Sequence, residues 1–168
     1  DTGGISLKPT SGMLDMKSDM AGGATVAGIR YAAAKSKLPV HLIGLVPDTD
    51  NRPDGNAYTP GDIITMHNDT TVEVVNTDAE GRMILADALS FARQFDPEMV
   101  FDFATLTGSA SVAVGPQALV AMGNARQEIF EALQQSGMDT HERVVQLPLW
   151  EEYNEMIHSE KVFVLGGY

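Results

Sequence analysis

Thr71-Val72-Glu73-Val74-Val75, then Asn76-Thr77-Asp78-Ala79-Glu80-Gly81-Arg82, then Met83-Ile84-Leu85-Ala86-Asp87-Ala88-Leu89 read as strand, junction and helix. The first run alternates apolar and polar residues, as a half-buried strand does, and the last has the spacing of an amphipathic helix. Two carboxylates and a guanidinium therefore stand where a strand ends and a helix begins. Ligands of open α/β sheets bind outside the carboxyl ends of strands. On an extended segment residues two apart point the same way, so Asp78, Glu80 and Arg82 would share one side. Two carboxylates held close repel, and a cation should lie between them. Arg82 could supply it, and a pair of metal ions would do so better. The plainer reading makes Asp78 an N-cap and Arg82 a surface residue. Two details weigh against it. Arginine in a first helical turn has the wrong sign for the dipole, and Gly81 gives a close backbone approach that a plain helix start does not need.

Outward from this junction, strands and helices alternate. Residues 1–8 read as a strand end and a glycine-rich turn. A helix is expected from about Leu14 to about Lys35, with a small-residue face, including Gly22 and Gly23, that suits close packing on a sheet. Residues 38–46 and 99–106 read as buried strands. Residues 62–66 and 71–75 read as a hairpin turning at His67-Asn68-Asp69. The helix after the junction should reach about Phe95. A short strand at 118–123, a helix from Gln127 to Gln135 stopped near Gly137, an extended 144–149 and a helical 150–158 complete the pattern. This is an α/β protein with a mixed, largely parallel sheet flanked by helices.

The 168 residues are enough for one domain with a core, and 43% hydrophobic residues indicate a globular chain. Lys and Arg number 11 against 23 Asp and Glu, a net charge of -12, which argues against nucleic acid or an anionic membrane surface as partner. Without cysteine there is neither a disulfide frame nor a thiolate site. No apolar run reaches membrane-span length. The opening Asp1-Thr2-Gly3-Gly4 lacks an initiating Met and reads as a fragment or a processed piece.

Few side chains remain that could carry chemistry. The run Asp48-Thr49-Asp50-Asn51-Arg52-Pro53-Asp54-Gly55 fails as a calcium loop, because Arg52 stands where an oxygen ligand is needed, and it reads as a plain polar loop. His41, His67, His141 and His158 form no metal spacing and are expected to be satisfied or exposed. What is left is oxygen chemistry. Asp1, Asp19, Asp78 and Glu80 fall at strand or helix ends, and carboxylates favour hard divalent ions. Lys8 could place a positive charge beside an oxyanion. Taken singly, each acid can equally be a cap or a surface charge.

The chain resembles the leucyl (cytosol) aminopeptidase family, in the central part of its catalytic domain. Asn76-Thr77-Asp78-Ala79-Glu80-Gly81-Arg82 is similar to that family's long signature. Asp1-Thr2-Gly3-Gly4-Ile5-Ser6-Leu7-Lys8-Pro9, Met16-Lys17-Ser18-Asp19-Met20 and Ala104-Thr105-Leu106-Thr107-Gly108 match three further motifs in the family's order. The resemblance runs to about Trp150 and implies a two-metal exopeptidase that releases N-terminal amino acids, leucine above all, from peptides. By position, Asp1 and Glu80 would bridge two zinc or manganese ions, Asp19 would ligate the tighter one and Asp78 the more exchangeable one. Lys8 would polarise the scissile carbonyl. Arg82 would hold a bicarbonate acting as general base, which suits a guanidinium at a helix start. Leu106 would receive the substrate through its carbonyl, and Met16, Thr105 and Gly108 would line the pocket for the first side chain. A cytoplasmic homo-hexamer is implied for the full-length protein.

The resemblance also leaves gaps. The family has a metal-binding lysine shortly before the position of Asp1, glycine-rich segments after that of Trp150, and a separate N-terminal domain. Residues 1–168 are accordingly expected to be a partial catalytic domain with little activity of its own. A non-catalytic peptide- or partner-binding protein on the same scaffold is the alternative. Retention of Asp1, Lys8, Asp19, Asp78, Glu80 and Arg82 speaks against it.

Overall fold

The expected hairpin forms: β1 (Ile63–Thr65) pairs antiparallel with β2 (Thr71–Glu73), Ile64 facing Val72. These elements come from a computed structural model, in which residues 1–157 are described. The turn is closed by Asp69 N–H donating to the Met66 carbonyl at 2.9 Å, with Asp69 in the left-handed region at φ 65°, which Asp tolerates. Two further bonds, Gly61 N–H to Val74 O at 2.7 Å and Val74 N–H to Asp62 O at 2.8 Å, carry the pairing past the strand ends. The inward side chains Met66, Val72 and Val74 are buried, as alternation requires.

Contact density divides the described chain into two units, 1–106 with Ile157 and 107–156. The first holds α1 (Thr10–Met13), α2 (Ala21–Lys35), the hairpin and α3 (Glu80–Ala92). The second holds α4 (Ser109–Val114), β3 (Ala118–Ala121), α5 (Gln127–Thr140) and β4 (Arg143–Gln146). There β3 and β4 run parallel, Ala118 facing Arg143 and Ala121 facing Gln146, with α5 as the crossover. The chain is thus α/β, with one antiparallel and one parallel ladder among the described residues.

Several boundaries differ from expectation, each for a local reason. The helix expected from Leu14 starts at Ala21. Before it, a 3-10 turn at Met16–Ser18 forms because the Ser18 hydroxyl and N–H both donate to the Asp15 carbonyl three residues back, at 2.6 and 2.9 Å. Helix α3 starts at Glu80, and a 3-10 turn at Arg93–Phe95 ends on Asp96 at φ 47°, just before Pro97. Gly137 does not stop α5. It is buried inside the helix, where a Cβ would come 2.5 Å from the Glu142 carbonyl oxygen, and His141 at φ 63° ends the helix instead. Glu151–Ile157 is a 3-10 helix, and His158 lies outside the described residues.

Residues 38–46 and 99–106 join no ladder among the described residues, contrary to their strand-like composition. Both lie against α2. A Cβ on Gly22 would fall onto the Phe103 carbonyl, and one on Gly23 would come 2.8 Å from Val46 Cγ1. Close approach is therefore what these helix glycines provide, at a cost of about 1 kcal/mol each in helix propensity. Val40 and Phe101 remain 60% and 48% exposed. An apolar run records a preference for burial, whereas a strand also needs a neighbour for its backbone.

The first unit is stitched around Thr77, which is 1% exposed. Its hydroxyl donates to the Gly3 carbonyl at 2.6 Å and accepts from Ser6 N–H at 2.7 Å, and its own N–H donates to Ser6 Oγ at 3.2 Å. These bonds hold the Asp1–Lys8 loop against the junction before α3. Thr77→Val keeps the volume but leaves the Ser6 N–H and the Gly3 carbonyl without partners. A loss of about 1–3 kcal/mol is expected, read as a lower urea midpoint at unchanged slope.

Candidate metal centre

Asn76, not Asp78, caps the junction. Its side-chain oxygen accepts from Asp78 N–H at 2.9 Å, at the start of a 3-10 turn over Thr77–Ala79 that runs directly into α3. The Asp78 carboxylate is thereby released from helix capping, and the plainer reading of that residue falls. The junction is helical rather than extended, so alternation is not what brings Asp78 and Glu80 together. Ala79 packs inward instead and is buried.

Asp1, Asp78 and Glu80 each offer a carboxylate oxygen, and these atoms lie within 4.8 Å of one another. The cation among them is Lys8, not Arg82. Lys8 Nζ stands 3.1 Å from Asp1 Oδ2 and 2.5 Å from Asp78 Oδ1. The Asp78 oxygen is buried and makes no hydrogen bond, so its charge is met by the ammonium alone. Arg82 is half-buried in the first turn of α3 and forms no ion pair among the described residues. Three hard oxygen donors converging at partial burial, one without a hydrogen bond, suit a divalent cation.

Asp19 stands outside this cluster. It closes the Met16–Ser18 turn, and its Oδ1 accepts from the Thr105 hydroxyl at 2.7 Å. That bond ties the Met16–Met20 motif to Thr105 within the first unit. Met16 is half-buried on the same turn. Leu106 reaches the start of α3, where a Cβ on Gly81 would come 3.1 Å from its Cδ2, so Gly81 does serve a close approach. Gly108 belongs to the second unit, at the N-cap position of α4. Of the histidines, His67 is satisfied. Its backbone N–H donates to Asp87 Oδ1 at 2.8 Å, and its ring Nδ1 lies 2.9 Å from the Ser90 hydroxyl.

The loop at 48–59 is not a plain polar loop. Asn51 Nδ2 donates to Asp1 Oδ1 at 3.0 Å, to Glu80 Oε2 at 2.8 Å and to the Thr77 carbonyl at 2.9 Å. The same loop brings Tyr58, whose phenol is pushed above its ordinary value by burial and by the Glu80 carboxylate. Gly4, Asn51, Ala57 and Tyr58 help line a recess of about 290 Å³. Sequence reasoning missed both residues. The only local signal was an Asn in a turn-rich stretch, which fits its φ of 42° but says nothing of its partners.

An α/β protein with an oxygen-donor cluster at a strand-to-helix junction defines a class of hard-cation site. The particular family follows from known proteins: residues 1–163 match the catalytic domain of the cytosol aminopeptidase family, and the chain belongs to that family. It is 54% identical over 160 residues to a probable cytosol aminopeptidase of Geobacter sp. (strain M21), covering 95% of this chain and 32% of that protein. The solved cytosol aminopeptidase of Coxiella burnetii superposes with a TM-score of 0.90 at 38% identity, covering 98% of this chain and 36% of that one. The bottromycin maturation enzyme BotP, solved in complex with Mn, superposes with a TM-score of 0.89 at 33% identity, over 98% and 37%. The chain spans about a third of the length of the relatives it matches. No helix among the described residues is long and apolar enough to cross a membrane.

Proposed function

We propose that the full-length protein is a metal-dependent aminopeptidase that releases N-terminal amino acids, with a leucine-type preference, from peptides. The carrying observation is the convergence of Asp1, Asp78 and Glu80 within 4.8 Å of one another, with the Lys8 ammonium against Asp1 and Asp78. Residues 1–168 then form the central part of its catalytic domain. Asp1, Asp78 and Glu80, with Asp19, would hold two zinc or manganese ions, and the manganese bound by BotP supports that choice. Such ions supply Lewis-acid polarisation of the carbonyl and a nucleophilic water at neutral pH.

The chain's own residues do the remaining work. In keeping with the family resemblance, Asp1 and Glu80 would be shared between the ions, Asp78 would serve the more exchangeable one and Asp19 the tighter one. Lys8 donates to the scissile carbonyl oxygen, where its charge gains most as negative charge develops. The Leu106 carbonyl accepts from the substrate, and Met16 and Thr105 flank its first side chain. Gly108 is assigned to substrate by its motif alone. Arg82, without an ion pair among the described residues, would hold a bicarbonate, which would supply a general base beside the site.

The test is leucine release from a leucyl amide by metal-free full-length protein supplied with manganese or zinc. Turnover restored by metal is expected, and none with either ion would overturn the reading. Arg82→Ala should lower kcat about 100-fold or more with metal content unchanged, bicarbonate helping the wild type more. A variant that loses metal instead would make Arg82 structural. We also propose a cytoplasmic homo-hexamer, in keeping with the family resemblance, and sedimentation of the full-length protein as a monomer would refute it.

A further inference from the structure

Asn51 reaches the carboxylate cluster from a loop that belongs to none of the four recognised motifs. One amide nitrogen, carrying two protons, faces three acceptors: Asp1 Oδ1, Glu80 Oε2 and the Thr77 carbonyl, all between 2.8 and 3.0 Å. The backbone of Asn51 is fixed as firmly as its side chain. Its carbonyl accepts from Gly4 N–H at 3.0 Å and from the Thr2 hydroxyl at 2.6 Å. Its φ of 42° is left-handed, and a Cβ on the facing Gly4 would come 2.8 Å from Asn51 Oδ1. A side chain held at both ends in this way has little freedom to lose when it orients a neighbour.

The contacts divide the carboxylate oxygens into two sets. Asp1 Oδ1 is taken by Asn51 and by Gly3 N–H at 2.7 Å, which leaves Asp1 Oδ2 to Lys8 at 3.1 Å. On Glu80, Asn51 takes Oε2, and no hydrogen bond to Oε1 is found among the described residues. The donor is neutral. A lysine there would cancel charge that a bound cation needs, and an aspartate would set a fourth carboxylate against two others. The carboxamide donates to the acids and leaves their net charge intact.

We propose that Asn51 is a positioning residue of the metal centre. It locks one oxygen of Asp1 and one of Glu80, so that the other oxygen of each faces the cation. This rests on the proposed metal-dependent function. It assigns a role to a residue outside the ligand set, as hydrogen-bond partners of ligands commonly have.

The experiment compares full-length wild type, Asn51→Gly and Asn51→Asp, each stripped of metal and titrated with manganese alone by calorimetry and electron paramagnetic resonance. Glycine accepts the left-handed φ and keeps the backbone carbonyl that binds Gly4 and Thr2, so it removes only the carboxamide. Manganese affinity should fall about 10- to 100-fold in Asn51→Gly, with the ion–ion coupling in the resonance spectrum altered. With manganese saturating, kcat should fall while KM for a leucyl amide stays within about twofold. Asn51→Asp separates orientation from charge. If Asn51 acts by orienting the acids, the aspartate variant also binds more weakly. If only local charge matters, its extra carboxylate binds more tightly, and that result overturns the proposal. So does wild-type affinity and spectrum in Asn51→Gly. Wild type that binds no manganese would instead sink the metal-centre reading, and the role of Asn51 with it.

Discussion

Glu80→Ala in the full-length protein is expected to abolish turnover, with kcat/KM down by at least about a thousandfold and bound manganese reduced. Glu80 is the first residue of α3, and alanine is the best helix former, so the substitution does little harm to the helix. What it removes at the helix end is a favourable dipole interaction of about 0.3–1 kcal/mol, too small to unfold a domain. The loss therefore falls on the site. Glu80 brings one of three convergent carboxylates and is one of the three acceptors that Asn51 holds. Its removal takes a charge from the carboxylate cluster and an anchor from the carboxamide together. Metal content measured on the purified variant, beside its thermal midpoint without metal, checks the claim. A variant with normal metal content and normal turnover would show that the cluster is only a charged surface.

The fold around this site was legible where side-chain period and turn chemistry act locally. Thr71–Glu73 pairs with Ile63–Thr65 as alternation and the His67-Asn68-Asp69 turn suggest, and a helix follows the junction. It was not legible where a partner decides. Residues 38–46 and 99–106 are apolar enough for strands, yet they lie against the glycine face of α2. Gly137 looked like a helix stop because glycine often is one, and its real constraint, the Glu142 carbonyl, is a tertiary contact. The site shows the same division. The acids of the junction stood out at once. The direction of Asp78, however, depends on Asn76 taking over the cap, and the cation depends on a loop 70 residues earlier folding back onto Thr77. Electrostatics required a positive charge among the acids without saying which. Arg82 was nearest in sequence, and Lys8 is nearest in space. Asn51 is neutral and carries no charge signal at all, so only its three hydrogen bonds reveal it.

Lys8→Met in the full-length protein is expected to lower kcat by about 100- to 1000-fold while metal binding is kept or tightened. Methionine retains a long apolar side chain and removes the charge, so packing changes little. Two opposed consequences follow from where Lys8 stands. Carboxylate oxygens within 4.8 Å repel by at least about 3.5 kcal/mol per pair at an effective dielectric constant near 20. Lys8 relieves that repulsion through Asp1 and Asp78, so the metal-free variant should melt below metal-free wild type. The same ammonium would compete with a divalent ion for those two acids. Without it, manganese should raise the melting temperature of the variant by more than it raises that of wild type, because stabilisation follows the affinity for the folded state. Catalysis should move the other way, since the ammonium proposed to donate to the carbonyl oxygen is then gone. Thermal scans with and without manganese, beside kcat at saturating metal, give the whole pattern. A Lys8→Met protein that loses manganese along with activity would place Lys8 among the supports of the acids, and the donor to the substrate would have to be sought elsewhere.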